Sequence, residues 1–230
     1  MSDFSQAIVI GAGGGIGGAL ADAIEARGGT ARRLGRDSDP SIDFLRPSTI
    51  AAAAEALAGD APYDAVIVAS GILHADDFGP EKSYRMLDAD VMARVMAINA
   101  IGPALVARHF VPLLPRSERF HFAALSARVG SISDNRLGGW YSYRMSKAAL
   151  NQCIRTLSIE LARTHEKGIV AALHPGTVDT SLSQPFQGNV ADDKLFTPEH
   201  SANALLDVLA NLAPADSGGH FDYAGEPVPA

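Results

Sequence analysis

The stretch Ala7-Ile8-Val9-Ile10-Gly11-Ala12-Gly13-Gly14-Gly15-Ile16-Gly17-Gly18 decides the fold. Its first four residues are all apolar, and three are β-branched. That pattern predicts a strand buried on both faces. The glycines that follow allow a tight turn and let backbone come close to a ligand. A helical pattern over 16–26 comes next, so the turn ends at a helix N-terminus. Free N–H groups and the positive end of the helix dipole make such a terminus a receptor for phosphate. The stretch contains a GxGxxG match, which in this strand–turn–helix setting points to the pyrophosphate of a dinucleotide.

The same alternation continues outward. Short, largely apolar runs at 65–69, 120–125 and 169–173 read as strands, a second strand is read at 30–34, and a last one at 219–223. Helical periodicity covers 48–57, 88–110, 140–164 and 199–212, and Pro103 is expected to kink the second of these. The pattern predicts an α/β fold with a doubly wound parallel sheet in three layers, forming a single domain over 1–230. Ligands in such sheets bind beyond the carboxyl ends of the strands.

Composition narrows the function. The chain has 230 residues, 47% hydrophobic and 20% charged, with a formal net charge of −7. That balance argues against nucleic-acid partners, which require a basic surface. No apolar run reads as a membrane span, and Met1 to Gln6 lacks the basic start of a signal peptide. One cysteine, Cys153, rules out an internal disulfide and a multi-cysteine metal site, and the histidines lack metal-ligand spacing. No metal, no membrane and a cytoplasmic location are the expectations.

Beyond the second strand the chain reads Arg32-Arg33-Leu34-Gly35-Arg36. An acid there would bond a ribose 2′-hydroxyl, whereas arginine accommodates a 2′-phosphate. Arg36, with Arg32 or Arg33 assisting, therefore favours NADP(H), with NAD(H) still possible. Tyr143 and Lys147 are four residues apart and share a helix face. An ammonium near a phenol favours phenolate and is expected to lower its pKa, fitting the tyrosine for proton exchange with a carbonyl or hydroxyl. The segment 181–196, with Gln184, Pro185, Phe186 and Gly188, reads as a substrate loop. His74 follows the third strand and is a candidate to line the site.

Together these motifs resemble the short-chain dehydrogenase/reductase family, nearest its C-factor and sniffer-like carbonyl reductase branch. The resemblance runs over nearly the whole chain and implies a Rossmann-type domain. It implies cofactor contacts from Gly11, Gly13, Gly15, Ile16 and Gly17, where Ile10 stands in place of the family's threonine. Asp43 is placed like the acid that meets adenine, and Ala69-Ser70-Gly71 like the segment after the fourth family strand. Pro175, Gly176, Val178 and Thr180 match the nicotinamide-side motif. Asn99, Tyr143 and Lys147 match three members of a catalytic tetrad.

The tetrad serine departs from pattern. Three residues before Gly130 stands Ala127, with Ser126 one residue early. Ser126, re-aimed by a strand-end bulge, is the preferred candidate, and Ser131 is the second. The resemblance implies hydride transfer between a nicotinamide cofactor and a small-molecule carbonyl or alcohol substrate. It also implies a homodimer or homotetramer through the two long helices, to which Ala148, Ala149 and Leu150 could contribute. The other reading is a dinucleotide-binding sensor or cell–cell signalling protein with little turnover.

Overall fold

The computed structural model describes residues 4–189 and 191–230. Residue 190, inside the expected substrate loop, and Met1 to Asp3 lie outside the described residues.

Strands β1 (Gln6–Ile10), β2 (Thr30–Leu34), β3 (Ala65–Val68), β4 (Phe120–Leu125), β5 (Gly168–His174) and β8 (His220–Asp222) form one sheet in the order β2-β1-β3-β4-β5-β8. Every pairing in it is parallel. A short pair, β6 (Thr177–Val178) and β7 (Leu195–Phe196), lies apart from it. Helices α1 (Gly15–Ala26) and α6 (Pro198–Asn211) cover one face. Helices α2 (Ser48–Leu57), α4 (Gly102–Phe110) and α5 (Tyr141–Leu161) cover the other.

Strand alternation builds the two cores. Ile8, Ile10, Val66, Val68, Phe120 and Phe122 face α2, α4 and α5, whereas Ala7, Val9, Ala65, Ile67 and Ala123 face α1 and α6. The sheet order reverses at β1, which pairs with β2 on one side and β3 on the other. A crevice opens at that point beyond the strand ends.

The helix expected over 88–110 is three pieces: α3 (Ala89–Met96), a π-helical turn (Ala97–Ile101) and α4. Pro103 has no N–H to give the carbonyl four residues back, and the backbone widens there instead. This turn carries Asn99. The run Ala89–Leu113 is, by length and composition, apolar enough to cross a membrane, contrary to the sequence reading. Here it is a layer helix that buries Val95, Val106 and Phe110.

Candidate active site

The cleft encloses about 580 Å³ and runs along the carboxyl ends of β1, β2, β3, β4 and β5. That volume lies within the usual range for small-molecule and cofactor sites.

One end is built from backbone. Gly11 adopts φ +90°, donates to the Leu34 carbonyl at 2.8 Å and accepts from Gly14 at 3.0 Å. A Cβ on Gly17 would lie 2.1 Å from the Gly11 carbonyl oxygen, and one on Gly11 2.6 Å from Ser70 Oγ. Nothing lies within 4 Å of a Cβ on Gly13, which leaves open space over the turn. Helix α1 has no acidic residue in its first turn and no side-chain cap. Its first-turn N–H groups therefore have no carboxylate or capping side chain of the helix's own to satisfy them.

The arginines separate cleanly. Arg32 pairs with Asp60 at 2.6 Å, and Arg33 pairs with Asp22 and Glu25, each at 2.7 Å. Neither assists in the cleft, which corrects the sequence expectation. Arg36 lines the cleft and makes no ion pair among the described residues. Asp43 lines it too, with its carboxylate accepting from Leu45 N–H and Arg46 Nε, each at 2.9 Å. The Leu45 backbone bond leads the causes that hold the Asp43 carboxyl below its ordinary pKa, with Arg46 and Arg36 adding to it.

The other end is built from side chains that should be costly to bury. Lys147 is 3% exposed and donates from Nζ to the Leu125 carbonyl at 2.8 Å. Asn99 is 0% exposed. Its Nδ2 donates to the Ile72 carbonyl at 2.8 Å and to Ser146 Oγ at 3.0 Å, and its Oδ1 accepts from Ile72 N–H at 2.8 Å. Ser146 in turn donates to the Tyr143 carbonyl at 2.8 Å. Sequence reading missed Ser146, whose signal was its position one residue before Lys147 on the same helix. A Cβ on Gly71 would sit 3.4 Å from Asn99 Oδ1 and 3.6 Å from Lys147 Nζ. Both are ordinary van der Waals distances, so the segment after β3 runs close beside the two groups.

Tyr143 lines the cleft, and its hydroxyl has no hydrogen-bond partner among the described residues. Burial pushes its pKa up to about 12, and burial brings Lys147 down to about 8. The expected lowering of the tyrosine is therefore not present. Lys147 Nζ stands 5.6 Å from the phenol ring centre, and desolvation of the phenolate outweighs its pull. The two pKa values move in opposite directions from the same cause, because burial favours the neutral form of each.

The two serines part company. Ser126 lines the cleft and donates to Asn151 Oδ1 at 2.6 Å. No bulge re-aims it: its N–H bonds the Leu173 carbonyl at 2.7 Å, and the strand ladder runs on regularly. Ser131 is turned toward the Ala230 carbonyl at 3.3 Å and accepts from Asp134 N–H at 3.1 Å.

Gly15, Ile16, Ala69, Ser70, Pro175 and Thr180 all line the cleft. Gly176 and Val178 are set back from it. Gly176 packs against Phe196 and Tyr223, and Val178 is buried in β6. His74 lines the cleft, and its Nε2 lies 3.2 Å from the carbonyls of Ser181 and Leu182. The start of the expected substrate loop is thereby held against the segment after β3.

A family model described as Enoyl-(Acyl carrier protein) reductase matches residues 19–208. The chain belongs to the short-chain dehydrogenase/reductase family. The C-signal of Myxococcus xanthus is 40% identical over 60% of this chain and 78% of that protein. The 1-hydroxy-2-glutathionyl-2-methyl-3-butene dehydrogenase of Rhodococcus sp. (strain AD45) is 34% identical over 78% of this chain and 74% of that protein. Among solved short-chain dehydrogenase/reductase folds, an NADPH-bound carbonyl reductase from chicken fatty liver superposes with a TM-score of 0.85 at 25% identity. It covers 99% of both chains. A Burkholderia multivorans short-chain dehydrogenase/reductase with bound NADP gives 0.81 at 26% identity, covering 99% of this chain and all of that one. The carbonyl reductase Sniffer of D. melanogaster shares the fold, with a TM-score of 0.84 at 20% identity over 99% and 100% of the two chains.

Proposed function

We propose that this chain is an NADP(H)-dependent oxidoreductase that interconverts a small-molecule carbonyl and its alcohol, with Tyr143 handling the proton. The observation that carries the reading is that Tyr143 lines the same cleft as the glycine turn, with no hydrogen-bond partner for its hydroxyl among the described residues and Lys147 one helical turn away. The cradle fits a dinucleotide phosphate: glycine hydrogens stand where a Cβ would collide, and Gly13 borders open space. Arg36, just beyond β2 and without an ion pair among the described residues, suits a 2′-phosphate, since charge-assisted bonds to phosphate are strong.

When bound, a nicotinamide cofactor would supply or accept the hydride. Tyr143 gives its proton to the carbonyl oxygen during reduction and takes it back in oxidation. Lys147, already shifted toward neutrality by burial, is suited to passing protons. Asn99 holds the segment 71–72 beside it and is the third member of the set. Ser126 supports the substrate oxygen by turning its hydroxyl from Asn151, which makes it the fourth. The aromatic contacts Trp140–Phe186 at 5.1 Å and Trp140–Tyr143 at 6.2 Å support a dry site over the phenol.

A cytoplasmic homo-oligomer is part of this reading. The oligomer is supported by apolar surface on the layer of α4 and α5, where Ile101, Met145 and Ile159 are each about half exposed. Leu150, named with Ala148 and Ala149 as a contact candidate, is instead 1% exposed in the core.

The test is a titration with NADPH and NADH followed by cofactor fluorescence, then turnover on a panel of aldehydes and ketones. NADPH selectivity with carbonyl consumption is the expected result. Tight cofactor binding without turnover on any carbonyl would favour the sensor reading, which the C-signal likeness motivates.

A further inference from the structure

The catalytic helix α5 begins in an unusual way. Gly138, Gly139 and Trp140 run at φ +64°, +67° and +53°, three left-handed residues in succession. Trp140 is the N-cap, and its indole has a donor but no acceptor, so it cannot cap the helix. A 21-residue helix that carries Tyr143 in its first turn thus starts on a strained residue without a cap of its own.

The partner comes from 61 residues upstream. The Glu81 carboxylate accepts from Ser142 N–H at 3.2 Å through Oε2, and the Ser142 hydroxyl donates to Oε1. The Glu81 backbone carbonyl accepts from Trp140 N–H at 2.5 Å. One residue therefore fixes both the left-handed N-cap and the second residue of the helix, next to Tyr143. Glu81 is 3% exposed and makes no ion pair among the described residues. Its surroundings are largely apolar: Leu73, Phe78, Val91 and Val95 share a small gap with it and with Tyr143. A carboxylate in such a place is costly unless hydrogen-bonded, and the helix N-terminus is what offsets that cost.

We infer that Glu81 is a positioning residue for the proton transfer: it clamps the first turn of α5 and thereby sets where the Tyr143 hydroxyl points. This rests on the reading of Tyr143 as the acid–base group. The cofactor end of the cleft does not depend on the clamp, so Glu81 should affect turnover without affecting cofactor binding.

The experiment compares Glu81→Ala, Glu81→Gln and Ser142→Ala in the full chain. Small misplacements of a reacting group cost up to about 100-fold in rate, so kcat of Glu81→Ala should fall about 100-fold. The NADPH Kd should stay within about 2-fold. Glu81→Gln keeps an acceptor for the Ser142 N–H and should restore kcat to within about 5-fold of the parent. Hydrogen exchange provides an arm independent of substrate: amides of 141–146 should lose protection in Glu81→Ala while those of β1 and α1 keep it. An unchanged kcat, unchanged exchange at 141–146, or a Kd that rises in step with the loss of kcat would overturn the inference. If Glu81→Ala does not fold, Ser142→Ala decides. It removes one of the two side-chain bonds and should lower kcat several-fold, and parental kcat would sink the clamp. A parent chain that binds NADPH but consumes no carbonyl is a failure of the proposed function instead, and exchange alone then tests the clamp.

Discussion

The two ends of the cleft are made by different means. The glycine end is built mainly from the backbone of one strand–turn–helix unit, with Asp43 and an Arg36 that makes no ion pair among the described residues at its rim. The tyrosine end is side chains drawn from β4, the π-helical turn and α5, with Asn99 and Lys147 almost wholly out of water. The first end must admit a charged ligand and stays open. The second must hold a proton poised, and burial brings the pKa of Tyr143 to about 12 and that of Lys147 to about 8. Binding and chemistry therefore make opposite demands on solvent in one cleft.

If that division is right, the ends should fail independently. Tyr143→Phe should lower kcat by about 1000-fold while NADPH affinity, read by fluorescence, stays near parental. Loss of both together would break the comparison. Arg36→Ala should do the reverse, weakening NADPH by about 10- to 100-fold and NADH little. Arg32→Ala is its control and should change neither, since Arg32 is committed to Asp60. A smaller effect is expected from the serines. Ser126→Ala should lower kcat about 10-fold and Ser131→Ala less than 2-fold. Equal losses would place the oxygen-supporting group elsewhere.

The smallest effect concerns stability at the carboxyl end of β5 and the start of β8. Burial is the first cause bringing both His174 and His220 to a pKa of about 4, and Arg128 adds to it. Both values lie below the ordinary 6.5, so the unfolded chain binds these protons more tightly than the folded one. Their contribution is present above pH 6.5 and is lost as pH falls toward 4. The melting temperature should drop by roughly 5 °C across that window beyond the general acid trend. His220→Asn should flatten the drop, and an unchanged slope would remove these histidines from the account.

Much of this was legible without coordinates, and the reason is locality. The buried strand before Gly11, the glycine turn and the helix after it lie in one segment, where apolar pattern and backbone freedom are written residue by residue. Tyr143 and Lys147 share a face because helices repeat at a known pitch, and Pro103 forecast a break because it lacks an N–H. The sheet layers followed from mostly apolar strands alternating with helices, with β2 the exception at the edge of the sheet.

What the chain alone left open depends on partners far away in sequence. Three arginines near the end of β2 look alike until Asp60, Asp22 and Glu25 claim two of them. Ser126 and Ser131 differ because Asn151 draws one and Ala230 the other. The shift of Tyr143 opposes the expected one because spacing records the neighbouring lysine but not the loss of water around the phenol. Glu81 had no signal at all, since its role rests on a contact across 61 residues with the start of α5. Sequence determines what each segment can form and which groups it carries. Only tertiary packing decides which of those groups remain unpaired, dry and facing the cleft, because desolvation and pairing are properties of neighbours in space.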